Sequence, residues 1–119
     1  MFKEVKALLE ARQFADLRHL LVEVHPADIA AVFEELEPAM LAQVFRLLPK
    51  ELAAETFAYL EPDIQQALIE SLSNAELRAV LDEMYMDDTV DMVEEMPANV
   101  VKRILKVSDP DSRGEINRL

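Results

Sequence analysis

From His25 onward, apolar residues recur three and four positions apart in runs about a dozen residues long. Ile29, Val32, Phe33 and Leu36 make one stripe, and Leu41, Val44, Phe45 and Leu48 make the next. Leu52, Ala53, Phe57 and Leu60 follow, then Ile64, Ala67, Leu68 and Leu72, then Leu77, Val80, Leu81 and Met84. This is the period of an amphipathic helix, repeated at short intervals. Ahead of the array the same spacing predicts helices over residues 2–11 and 14–24, the second carrying Phe14, Leu17, Leu20, Leu21 and Val24 on one side. Beyond it the pattern predicts helices over 87–96 and 98–107, and Asp109-Pro110 reads as the N-cap and first residue of a last one.

The boundaries are written in the start signals. Pro26, Pro38, Pro49 and Pro62 each stand at or just before a first helical turn. There the missing N–H costs nothing and the fixed φ suits initiation. Proline also biases its predecessor away from helix, so His25, Glu37, Leu48 and Glu61 close one unit as the next opens. Ser73 with Glu76 is a capping-box pattern. Helices this short are marginal alone and must bury their stripes against neighbours. The expectation is an all-α domain, a right-handed superhelical α-solenoid of about ten short helices.

Composition agrees with this picture. The hydrophobic fraction of 51% supports a folded core, and a single glycine leaves little hairpin chemistry. No Ser/Gly linker interrupts the chain, so residues 1–119 are expected to form one domain. Without cysteine there is neither a disulfide nor a thiolate metal site. No run of 18 apolar residues occurs, so no direct membrane insertion by this chain is expected, and the charged N-terminus does not read as a signal peptide. A formal net charge of -12, from 24 acidic and 12 basic residues, argues against nucleic acid and anionic lipid as partners. It leaves cations and basic protein surfaces, or solubility alone.

Catalytic chemistry has little support, and the chain reads as a non-enzyme. Its two histidines are His19, on a charged helix face, and His25, before a proline, where capping is the natural role. No phosphate loop, nucleophile elbow or His-Glu-x-x-His pair is present. The acidic stretch stands apart. Between Arg78 and Lys102 there is no Lys or Arg, while Asp82, Glu83, Asp87, Asp88, Asp91, Glu94 and Glu95 fall in that interval. Asp87 and Asp91 are i,i+4 and project from one helix face, where like charges oppose helix formation unless offset. A divalent cation such as Mg²⁺ or Ca²⁺ would offset them, because carboxylate oxygens suit hard ions. The helix macrodipole is the alternative account, and it covers Asp87 and Asp88 better than Asp91. Two carboxylates make only part of a site, so any ion would be shared with another surface. Met84, Met86, Met92 and Met96 cluster here too, as core fillers or as an adaptable contact patch.

HPADIAAVFEELEP, LLPKELAAETFAYLEP and LDEMYMDDTVDMVEEMP together resemble the cytosolic N-terminal domain of the MgtE magnesium transporter/channel family over nearly the whole chain. The resemblance implies a cytoplasmic domain of a homodimeric inner-membrane protein of bacterial type. In that family Mg²⁺ bound between this domain and CBS domains, of the same polypeptide or the dimer mate, holds a closed state, and its release allows the pore to open. By motif the ligands would be Asp87 and Asp91, with Glu55 as a further acidic position and the remainder supplied by the CBS part, which this chain lacks. The same His-Pro cadence is also similar to the middle domain of the flagellar rotor protein FliG, which implies a metal-independent scaffold.

Overall fold

The computed structural model describes residues 1–108. Nine helices account for them: α1 (Phe2–Glu10), α2 (Phe14–Val22), α3 (Pro26–Phe33), α4 (Pro38–Phe45), α5 (Lys50–Tyr59), α6 (Pro62–Ser71), α7 (Asn74–Glu83), α8 (Met86–Glu94) and α9 (Ala98–Val107). Among the described residues there is no strand. The expected tenth helix at Asp109-Pro110 lies outside the described residues.

The cadence is a strict register. Helices α3 to α9 begin at Pro26, Pro38, Lys50, Pro62, Asn74, Met86 and Ala98, one start every 12 residues with no insertion. Equivalent register positions share an environment through most of the array, and this relaxes toward its end, where Val93 and Leu105 at the eighth position are half-buried. The eighth position of successive helices carries Phe33, Phe45, Phe57, Ile69 and Leu81, all buried. The three phenylalanines form an edge-to-face ladder with centroid separations of 6.2 and 6.1 Å, the arrangement that ring quadrupoles favour. Just past each helix, Leu36, Leu48, Leu60, Leu72 and Met96 are buried as well.

Packing follows the alternation. From α3 onward each odd helix lies against the next odd one, α3 on α5, α5 on α7 and α7 on α9, while α4 packs on α6 and α1 on α2. The described residues thus form an elongated body of 44 × 22 × 22 Å with one continuous core.

Several ends differ from the sequence expectation, and each has a local cause. Helix α1 stops at Glu10 because Arg12 takes φ 58°, the left-handed conformation. The Arg12 N–H donates to Leu9 O and the Gln13 N–H to Leu8 O, which makes a Schellman closure with arginine where glycine is usual. Helix α2 ends at Val22, where the chain turns toward His25. Helix α8 starts at Met86 and ends at Glu94, not at Asp87 and Met96. On α6 the buried stripe is Gln65, Leu68 and Ile69, while Ile64 and Ala67 are only half-buried. Gln65 enters the core because its amide donates to Phe57 O at 2.9 Å, a carbonyl at the end of α5 that also accepts from the Leu60 N–H at 3.1 Å.

Two arginines fasten the α6–α7 junction. The Arg46 guanidinium, at the end of α4, donates to both carboxylate oxygens of Glu76 at 2.6 and 3.2 Å and to Ser71 O at 3.4 Å. The Arg103 guanidinium, on α9, donates to Ile69 O, Leu72 O and Asn74 Oδ1. Ser73 and Glu76 complete the expected capping box between them.

Candidate functional site

The acidic stretch folds as the end of α7 and the whole of α8. Tyr85 is the N-cap of α8, in extended backbone and without a side-chain cap bond. Nothing from Tyr85 answers the free N–H groups of the first turn, and Asp87 and Asp88 stand there, where the dipole favours them. Thr89 and Met92 fix the rotation of the helix by pointing into the core. That leaves Asp87 and Asp91 on its exposed side, one turn apart, and neither side chain makes a hydrogen bond or ion pair with another described residue. Of the methionines, Met92 and Met96 are core residues, Met84 is half-buried and Met86 is exposed.

Glu55 is exposed on α5, which packs against α8. It lines a groove of about 530 Å³ that runs from the N-terminus of α3 across α5 to the junction of α7 and α8. The other polar and aromatic walls are His25, Tyr59, Glu83, Tyr85 and Asp88. The fold therefore brings Glu55 together with Asp88 and Glu83, and sets Asp87 and Asp91 outside the groove walls, on the exposed side of α8. His25 acts as the expected cap: its Nδ1 accepts from the Ala27 N–H at 3.1 Å. Its ring meets Tyr59 edge to face at 6.0 Å. His19 is exposed, as its charged face predicts.

The pattern names Glu83 only as one acid of the stretch without bases and gives Tyr59 and Tyr85 no role, because each of the three stands at a helix end. The signal that finds them is the register: residues 59, 83 and 85 all fall at unit boundaries, and boundaries of units two apart lie side by side. The register also pairs Glu51 and Glu55 on α5 with Asp87 and Asp91 on α8, at the second and sixth positions of each helix.

Among the described residues no three His, Asp or Glu side chains converge closely enough to hold an ion by themselves. The donor set nevertheless suits a hard, hydrated cation. Asp87 and Asp91 offer unpaired, solvent-facing oxygens and no nitrogen or sulfur, and Mg²⁺ commonly keeps several waters and takes only one or two carboxylates.

An all-helical repeat with an uncompensated acidic face is the class that fold and site define. The chain matches the MgtE intracellular N domain over residues 24–119 and belongs to that family. The fold is similar to that of the cytosolic domain of the Mg²⁺ channel MgtE, crystallised in complex with ATP, with a TM-score of 0.84 and 30% identity over 98% of this chain and 48% of that one. It is also similar to the soluble part of a magnesium transporter, with a TM-score of 0.83 and 19% identity over 98% of this chain and 46% of that one. The chain thus spans about half the length of these structures. Among curated proteins none matches. No helix of the described residues is long and apolar enough to cross a membrane.

Proposed function

We propose that this domain is the Mg²⁺-sensing cytoplasmic part of a magnesium transporter or channel, and that it acts by docking reversibly on a CBS region through its acidic face. The observation that carries this reading is the exposed, unpaired Asp87/Asp91 pair in a chain of the MgtE N-domain family. Residues 1–119 would be the N domain of a homodimer whose CBS and membrane parts lie elsewhere in the polypeptide. The family match favours this over a rotor-type scaffold, which would need no such pair.

The physics is a competition between repulsion and bridging. Asp87 and Asp91, with Glu55 on the neighbouring helix, repel any second acidic surface brought against them. Bound Mg²⁺ would supply positive charge and oxygen-directed coordination between the two surfaces. The side chains hold the cation from one side only, so the docked state binds it better than the separated state. That difference alone sets how far the ion can shift the balance. The rigid 12-residue register lets the domain move as one body, so that a change at α8 is carried along the array.

The test is a Mg²⁺ titration of the full-length transporter, with compaction followed by protection from limited proteolysis. Asp87→Asn combined with Asp91→Asn is expected to move the protection midpoint to higher Mg²⁺ by about tenfold, the loss of a typical coupling of 1–3 kcal/mol. An unchanged midpoint would overturn the assignment.

A further inference from the structure

Both tyrosines of the chain line one groove, and both are exposed: Tyr59 by 57% and Tyr85 by 76%, the two largest exposures among the bulky apolar side chains of the described residues. Tyrosine gathers where one surface of a protein meets another, because it offers a large rigid apolar face with a polar tip. Neither ring is needed to cap its helix: Tyr85 makes no side-chain cap bond, and Tyr59 is the last residue of α5. Around them the side chains of Glu55, Glu83 and Asp88 make no ion pair or hydrogen bond with another described residue. An aromatic cleft of about 530 Å³ with uncompensated carboxylates on its walls is complementary to a flat organic cation.

We infer that the groove between α3, α5, α7 and α8 is a docking site for an arginine-bearing segment of a partner polypeptide. The guanidinium stacks against Tyr59 or Tyr85 while its N–H groups donate to the carboxylates. A planar fork fits this setting better than an ammonium, which is more strongly hydrated and does not stack. The site does not rest on metal binding, since Asp87 and Asp91 lie outside the groove walls. A docked segment would reach the metal-facing helix α8 from its N-terminal end, and would give the domain a contact that persists when Mg²⁺ is low.

The chain has no tryptophan, so its intrinsic tyrosine emission reports this groove alone. The experiment titrates the 119-residue chain with acetylated tri-arginine amide at about 0.15 M salt, with tri-lysine as control. A saturable one-to-one change in emission is expected, with weaker binding of tri-lysine. Because Tyr85→Ala removes half of the emitters, its affinity is read by calorimetry, and a fall of about fivefold is expected. Tyr85→Phe retains the ring and should retain the binding. Asp87→Asn with Asp91→Asn should leave tri-arginine binding largely intact, which separates this site from the proposed metal face. An equal response to tri-lysine, an unchanged affinity in Tyr85→Ala, or an equal loss in the Asp87/Asp91 variant would reduce the effect to bulk charge and overturn the site. A doubling of mass without added peptide would make a second copy the occupant and overturn it also.

Discussion

At Thr56 a hydroxyl stands where the other units place only apolar atoms. The corresponding seventh positions are Val32, Val44, Leu68, Val80, Met92 and Ile104, all buried. Thr56 is fully buried, and its Oγ1 has no hydrogen-bond partner among the described residues. An unanswered buried hydroxyl costs about 1–3 kcal/mol, whereas a methyl of the same shape costs nothing to desolvate. Thr56→Val is therefore expected to stabilise the domain by about 1 kcal/mol, read as a higher urea midpoint at unchanged slope. Gln65, also buried, behaves oppositely, because its amide is satisfied at Phe57 O. Sequence alone does not separate these two cases. Both are polar residues at core positions, and only the end of α5 decides which of them finds a partner.

Among the elements, the α6–α7 junction shows how a charge is put to structural use. Glu76 accepts from the Arg46 guanidinium and from the Ser73 N–H, and these contacts hold its carboxyl down to about 2 from the ordinary 4.5. A carboxylate with a depressed folded-state pKa contributes stability that is complete above the unfolded value. That contribution is lost as pH falls through the folded one, so the window runs from about 4.5 down to about 2. The side chain is 34% exposed, and solvent screening brings the worth of the contact to about 1 kcal/mol. Glu76→Gln should lose about that much at pH 7 and flatten the stability profile inside this window, as measured by denaturant unfolding across pH. At this scale the sequence was most legible. The proline starts, the Ser73/Glu76 box and the apolar stripes located every helix from α3 to α9, because proline chemistry and helical period are local. The Arg46 and Arg103 clamps were not legible, since they join residues 25 to 34 positions apart. The groove stayed hidden for the same reason: its walls come from four helices. By contrast the Asp87/Asp91 face, set by a single i,i+4 spacing, could be read directly.

For the molecule as a whole, acids outnumber bases by 12, and most of that excess lies in a body only 22 Å across. Two unit charges that far apart in water repel by about 0.2 kcal/mol, and the excess of acids multiplies such pairs. The range of these forces decides whether they matter. The Debye length is about 30 Å at 0.01 M salt, longer than the body is wide, and about 8 Å at 0.15 M, much shorter. At low salt the charges on opposite sides of the body therefore act together, and at physiological salt only close neighbours do. Unfolding lets the charges spread apart, so repulsion weighs more on the compact state. Stability is thus expected to rise with NaCl between about 0.01 and 0.15 M by on the order of 1 kcal/mol, seen in the urea midpoint. The Arg46–Glu76 pair works the other way, since screening weakens an exposed attraction, but one pair is outweighed by twelve uncompensated charges. Asp87→Asn with Asp91→Asn removes two of those charges and should reduce the salt dependence. A midpoint that falls as salt is added would mean that attractive pairs dominate, and would remove the electrostatic basis for an acidic face held apart until a cation bridges it.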